Sequence, residues 1–440
     1  MNTDWPSPAR AWWTVAVLTL AYIVSFVDRT ILSLLIEPIK ADLDLTDTQI
    51  GLLQGLAFGL FYAVMGVPLG WLADRASRRR VIAAGAALWC AATAACGLAS
   101  TFAQLFLARI AVGIGEAALS PAAMSMISDS FPKERRAAPI GTYAAAGGVG
   151  AGIALIVAGT VIQLVATQDT LTLPGLGAVA RWQAAFVLIG VGGLVLLPLL
   201  ATVHEPGRRN ESTTAGAEHG ILRFVGQHAD FMVRHYAAVS IYSIVIYATL
   251  YWVPAYFIRV HGWTPGETGV RYGLVLLTFG GGGTVLGSIV AGWLAKRRVA
   301  CAPIWVTVAG MTFSGPLLAQ AAWTGDAWTA LTWYAPALLF MTLPGGTAIQ
   351  VIQEAVPNRL RGQASAIYYL TISLVGSTIG PLAVGMLTDR MFEDPLRLGS
   401  SLAVVALVVA PATAVLAATT RAPFSRLTGA AAPAPAQATG

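Results

Sequence analysis

The sequence predicts an all-α membrane protein of twelve transmembrane helices in two six-helix bundles, and three observations predict it. The composition is too apolar for water, with 56% hydrophobic and 11% charged residues, against about 25% charged in an average soluble domain. The apolar residues gather into windows of the length needed to cross a bilayer, about 20 residues of helix. The two halves of the chain also echo each other at a nearly constant offset.

The first window, 11–36, is too long for a signal peptide and holds Asp28-Arg29 in its second half, so it reads as the first helix. Windows 48–73, 81–108, 102–128, 137–168 and 182–204 complete the first set of six. A polar connection at 205–234 follows, with Glu205-Pro206-Gly207-Arg208-Arg209 and a Ser/Thr/Gly stretch; it reads as a linker with a short surface helix. The second set is 235–258, 272–295, 299–325, 327–353, 362–388 and 398–420. Only 11–36 and 102–128 carry charges inside them. The runs do not alternate, and they exceed the roughly 10 residues of a barrel strand. The expected organisation is an N-terminal bundle over 1–204, a linker over 205–234, a C-terminal bundle over 235–421 and a disordered Ala/Pro-rich tail over 422–440.

An even number of spans puts both termini on one side. Of the 27 Lys and Arg residues, 19 fall on that side and six on the other, with Arg29 and Arg109 inside spans. The positive-inside rule makes the termini cytoplasmic, and the expected location is a bacterial inner membrane. The net charge of +6 does not indicate nucleic acid, because the basic residues sit in short loops between apolar segments. Cys90, Cys96 and Cys301 have neither CxxC spacing nor a histidine cluster, so no metal or redox site is expected. The chain lacks a Walker signature and a nucleophile–base pattern, which argues against ATP drive and against an enzyme. The expected partners are the lipid bilayer, an amphipathic small molecule and protons. A monomer driven by a proton gradient, with no bound cofactor, is expected.

The repeat is specific in its residues. Gly70-Trp71-Leu72-Ala73 is echoed by Gly292-Trp293-Leu294-Ala295; Asp129, Pro132, Arg136 and Tyr143 are echoed by Glu354, Pro357, Arg361 and Tyr368. Two six-helix units in one orientation are the layout of major facilitator transporters. Gly70 through Arg80 resembles the loop motif between the second and third helices of that superfamily, with Ser77 where the motif usually has glycine. Arg109-Ile-Ala-Val-Gly113-Ile-Gly115-Glu116-Ala117 resembles its fourth-helix motif. Tyr22-Ile-Val-Ser-Phe-Val-Asp28-Arg29, Gly115-Glu116-Ala117 and Ser128-Asp129-Ser130-Phe131-Pro132 are similar to the Spinster-type lipid transporters. That resemblance implies movement of lysolipids or sphingoid phosphates, proton-linked in some members. Organic-anion symporters related to sialic acid and hexuronate carriers share the Asp-Arg and the Glu, so a proton-coupled carrier of sugar acids or carboxylates is the alternative.

A charge at the centre of a spanning helix costs about 2.5–3.5 kcal/mol on insertion scales and marks function. Arg109 and Glu116 are two helical turns apart and share a face, while Asp28 and Arg29 point about 100° apart. Asp28 and Glu116 are the candidate proton carriers, Arg29 the contact for an anionic headgroup, and Arg109 the residue that tunes the acids and joins the substrate site. Tyr247, Tyr251 and Tyr368 are the candidate substrate contacts of the second half, where apolar walls would make the cavity amphipathic. Trp252 and Tyr256 read as interfacial. Asp74 sits at a helix end where it can accept from another helix's N-terminus. The superfamily resemblance makes it a conformational latch, with Arg75 pairing an acid such as Asp129. Arg78, Arg79 and Arg80 read as topology signals.

Overall fold

The computed structural model describes residues 5–165, 171–173, 177–208 and 218–429. Eleven helices among them are long and apolar enough to cross a membrane. In chain order the long helices are α1 (Pro8–Leu34), α2 (Asp47–Arg75), α3 (Arg78–Cys96), α4 (Phe102–Ser130), α5 (Ala137–Val165), α6 (Arg181–Thr202), α7 (Ala229–His261), α8 (Pro265–Lys296), α9 (Ala302–Trp323), α10 (Ala327–Ala355), α11 (Asn358–Phe392) and α12 (Leu398–Ala418). The exception to the apolarity is α3, which opens on three arginines and so falls below its neighbours in hydropathy. A two-stranded hairpin, Leu171–Leu173 with Gly177–Val179, joins α5 to α6.

Local chemistry sets the helix starts. Thr46 and Gln49 form a reciprocal capping box at α2, and Thr264 and Glu267 form another at α8. Thr101 caps α4 and Asp326 caps α10. Each satisfies N–H groups that a helix cannot satisfy itself. A short helix over Glu218–Gln227 lies within the linker, as the sequence suggested, and two boundaries differ from the sequence reading. Helix α7 begins at Ala229 inside the segment assigned to the linker, and Arg421–Thr428 is helical where a disordered tail was expected from residue 422. The polar turns Asp230 and Arg426 pair at 3.0 Å, and residues without apolar character can therefore extend a helix beyond the hydrophobic window. The rest of the predicted tail, 430–440, lies outside the described residues.

The halves touch through α1 with α7, α2 with α11, and α5 with α8. The starts of α1 and α7 and the ends of α4, α6 and α12 share one end: Trp13 bonds Thr202 and Trp12 packs on Phe131. The halves are sealed at the opposite end. There a Cβ at Gly51 would come within 2.7 Å of the Pro381 carbonyl, and one at Gly159 would come within 2.9 Å of Gly269. Only glycine lets the backbones of α2 and α11, and of α5 and α8, approach this closely. Toward the termini, a Cβ at Gly66, Gly141, Gly282, Gly292 or Gly362 would meet nothing. The close backbone approaches between the halves thus seal one end, and none of those described lies at the end where α1 and α7 begin, the open end. Single π-helical turns, Leu56–Leu60, Leu276–Gly280 and Ser373–Ser377, interrupt α2, α8 and α11 near the boundary between the two regimes. Such turns redirect a helix and recur at functional sites.

Candidate functional site

The four charges predicted inside the spans meet in one place. Arg29 of α1 reaches across to α4, where its Nε donates to Glu116 Oε2 at 2.6 Å. The guanidinium carbon also lies 5.1, 5.0 and 4.6 Å from the ring centroids of Phe26, Phe58 and Tyr62. Three aromatic faces and one carboxylate therefore replace the water an exposed arginine would have. Arg109 stands one layer away, 5.2 Å from the Phe58 ring, and donates to the Asp28 backbone carbonyl at 3.0 Å. Phe58 can lie between the two arginines because α4 carries Gly113 against α2: a Cβ there would sit 2.7 Å from the Phe58 carbonyl.

Asp28, Arg109 and Glu116 are each at most 1% exposed. Among the described residues, both carboxylate oxygens of Asp28 and Oε1 of Glu116 make no hydrogen bond. The Thr93 hydroxyl of α3 lies beside Asp28.

Tyr247 and Tyr251 of α7 stack at 6.1 Å and lie within electrostatic reach of Arg29 from the other half. Tyr368 is packed away from this centre. It is 3% exposed and lies beside Tyr236, whose hydroxyl bonds the Ala364 carbonyl; its neighbour Tyr369 is 59% exposed and acts on Tyr22. One residue of helix turns a side chain by about 100°, and here that rotation exchanges wall for core. Tyr22, which stacks on Tyr143 at 5.0 Å, and Tyr62 belong to the same polar wall. The sequence signal for Tyr22 was only an aromatic residue two turns before Asp28-Arg29, and Tyr62 stands in a window without charges and gave none. Trp252 and Tyr256, expected at an interface, are core residues that donate to the Pro381 and Ala322 carbonyls.

The loop between α2 and α3 also differs from expectation. Arg75 does not pair with Asp129. It folds back over the Trp71 ring, 3.9 Å from its centroid. Asp129 pairs with Arg78, which is 1% exposed and also donates to Ser125 and to the Pro206 carbonyl. Arg79 bonds the last carbonyls of α6, Ala201 and Val203. The geometric reason is capping: Ser77 starts α3, so the following arginines project from its first turn toward α4 and α6, whereas Arg75 ends α2. Asp74 is exposed and makes no hydrogen bond or ion pair among the described residues.

Glu205 closes this network from the linker, accepting from the Ser77 hydroxyl and from the Arg78 N–H at 2.7 Å. Burial pushes its carboxyl up, but the bonds from Ser77 and Arg78 outweigh this and hold it below the ordinary glutamate range. A depressed carboxyl contributes stability that is present above its unfolded value and lost as pH falls through its folded one. The thermal midpoint should therefore fall as pH drops below about 4.3. Glu205→Gln should flatten that part of the profile, measured by thermal unfolding in detergent; an unchanged slope would exclude Glu205 as its source.

Comparisons with known proteins agree with this geometry. An efflux pump of the major facilitator type from Mycolicibacterium smegmatis is 32% identical over 407 residues, 89% of this chain and 88% of that protein. A probable L-galactonate transporter of Escherichia coli is 26% identical, covering 88% of this chain and 85% of that protein. The solved structure of a bacterial homologue of the human lysosomal transporter Spinster, inward-facing and occupied, superposes with a TM-score of 0.78 at 25% identity, covering 98% of this chain and all of that one. The sequence model of the Major Facilitator Superfamily matches residues 18–381. From the first helix to the eleventh, then, this chain is a member of the Major Facilitator Superfamily of transporters, and the Spinster proteins are among those it resembles.

Proposed function

We propose that the protein is a proton-coupled secondary transporter of a lipid-like substrate with an anionic head, working by alternating access in a bacterial inner membrane. The observation that carries this reading is the Arg29–Glu116 pair inside its aromatic cage, beside an unbonded Asp28. An anionic head entering from the open end competes with Glu116 for Arg29. A carboxylate that loses its guanidinium in a dry pocket is relieved by taking up a proton. Substrate and proton then load together, and the formal charge of the cluster stays balanced. The faces of Phe26, Phe58 and Tyr62, and the tyrosines of α7, offer apolar surface next to the arginine, which suits a head with a hydrocarbon tail. In this reading α3 is the twelfth span, and the open end with the termini faces the cytoplasm.

The second reading, a carrier of sugar acids or carboxylates, uses the same arginine as a carboxylate clamp and is favoured by the likeness to the L-galactonate transporter. The test is purified protein in liposomes with an internal pH dye. Lysophospholipids and sphingoid phosphates should move protons above the level of empty liposomes, and hexuronates and short carboxylates should not. A response confined to the small anions would overturn the lipid reading in favour of the second.

A further inference from the structure

We infer that Asp389 is a second conformational latch, which seals the end opposite the termini by capping the first turn of α2 across the boundary between the halves. The inference rests on alternating access alone and holds for either class of substrate.

The first N–H groups of a helix have no partner within it. At α2 the third is satisfied locally, by the Thr46 hydroxyl accepting from Gln49 N–H at 3.2 Å. The first two are satisfied from the other half: Asp389 Oδ1 accepts from Asp47 N–H at 3.2 Å and Oδ2 from Thr48 N–H at 2.5 Å. A carboxylate at a helix N-terminus also meets the positive end of the helix dipole. The backbones are already in contact here, since a Cβ at Gly385 of α11 would lie 2.7 Å from the Asp47 carbonyl carbon.

The same residue is held by its side chain too. Asp47 is fully buried and accepts from Arg259 of α7 at 2.6 and 2.8 Å and from Lys40 at 2.5 Å, while Arg259 also bonds Glu37 at 2.8 Å. Both the N–H and the carboxylate of Asp47 therefore depend on the opposite half. Opening this end exposes two amide groups and an aspartate at once.

The arrangement mirrors the one expected of Asp74 at the far end of the same helix. There α2 would supply the carboxylate and another helix the N-terminus; here α11 supplies the carboxylate and α2 the N-terminus. With Asp389 engaged, Asp74 is free. Helix α2 thus carries one carboxylate contact for each state of the cycle, and only one is made at a time.

The experiment places spin labels at Ala41→Cys and Gly325→Cys, one on each half at the sealed end, and measures their distance distribution in liposomes. Asp389→Asn keeps the shape and one acceptor but loses the charge. It should shift the closed-to-open ratio at this end by about tenfold, the effect of weakening two charge-assisted hydrogen bonds. Asp394→Asn is the control, because Asp394 caps Leu396 within its own half at 2.9 Å. It should leave the distribution unchanged. An Asp389→Asn distribution identical to that of the parent would overturn the inference. So would a lowered unfolding midpoint with no distance change, which would mark Asp389 as an ordinary helix cap.

Discussion

Glu116→Gln reduces substrate-driven proton movement in liposomes to the background of empty vesicles, while the substrate still binds. Glutamine matches glutamate in size and keeps an oxygen for Arg29 Nε, so the cage of Phe26, Phe58 and Tyr62 has no reason to rearrange. What it removes is the titratable group and the charge that competes with an anionic head. Binding of that head is therefore retained or tightened as coupling disappears, and the two readouts separate. Arg29→Lys gives the opposite pattern. An ammonium cannot spread over three ring faces, and each cation–π contact is worth about 0.5–2 kcal/mol; substrate affinity should fall about tenfold or more. Binding is measured by ligand-induced thermal shift and proton movement by the internal dye. Full coupling in Glu116→Gln would transfer the proton to Asp28 alone, and coupling that survives in both single variants would remove the cluster from the mechanism.

Rarity made the charged cluster legible in the sequence. Four residues of the Asp, Glu, Lys and Arg set, in windows that otherwise contain none, stand out without any knowledge of geometry, and Asp28, Arg29, Arg109 and Glu116 do converge. The pairing within the cluster was not legible. The seven-residue spacing of Arg109 and Glu116 suggested a pair on one face, yet Glu116 is taken by Arg29 from another helix, and Arg109 turns to a backbone carbonyl. Helical period gives the face of one helix, not its neighbour.

The aromatic cage was illegible for a different reason. Phe26, Phe58 and Tyr62 have the composition of any apolar span, and only the position of the guanidinium distinguishes them. The two-fold repeat was informative for architecture and misleading for the site: Tyr368 is the counterpart of Tyr143, but the halves have diverged there, and its neighbour Tyr369 faces the open side. The sealed end was invisible because its contacts join residues more than 100 positions apart, as in Gly159 with Gly269, Asp47 with Arg259 and Thr48 with Asp389.

Arg78→Ala should lower the thermal unfolding midpoint by about 6 °C, whereas Arg75→Ala should leave it within error. Position in a run of basic residues treats the two alike, and burial separates them. Arg78 is enclosed, and its loss strands Asp129, the Pro206 carbonyl and one side of Glu205 in a site built for a cation. Removing one partner of a buried pair costs about 3–5 kcal/mol. Glu205 is a quarter exposed and water screens its share, so the lower end applies, and about 2 °C per kcal/mol is the scale for a large chain. Arg75 lies on the exposed Trp71 ring and, among the described residues, bonds only the Trp71 carbonyl, at 3.4 Å; an exposed stack of this kind is worth about 0.5–1 kcal/mol at most. Arg78→Lys is the decisive companion. A single ammonium cannot take the place of this planar fork, in which Nη1 donates to Ser125 and Asp129 while Nη2 donates to the Pro206 carbonyl. Lysine should therefore recover less than half of the loss. Full recovery by lysine would mean that the site requires only positive charge, and that the run Arg78-Arg79-Arg80 acts as a topology signal after all.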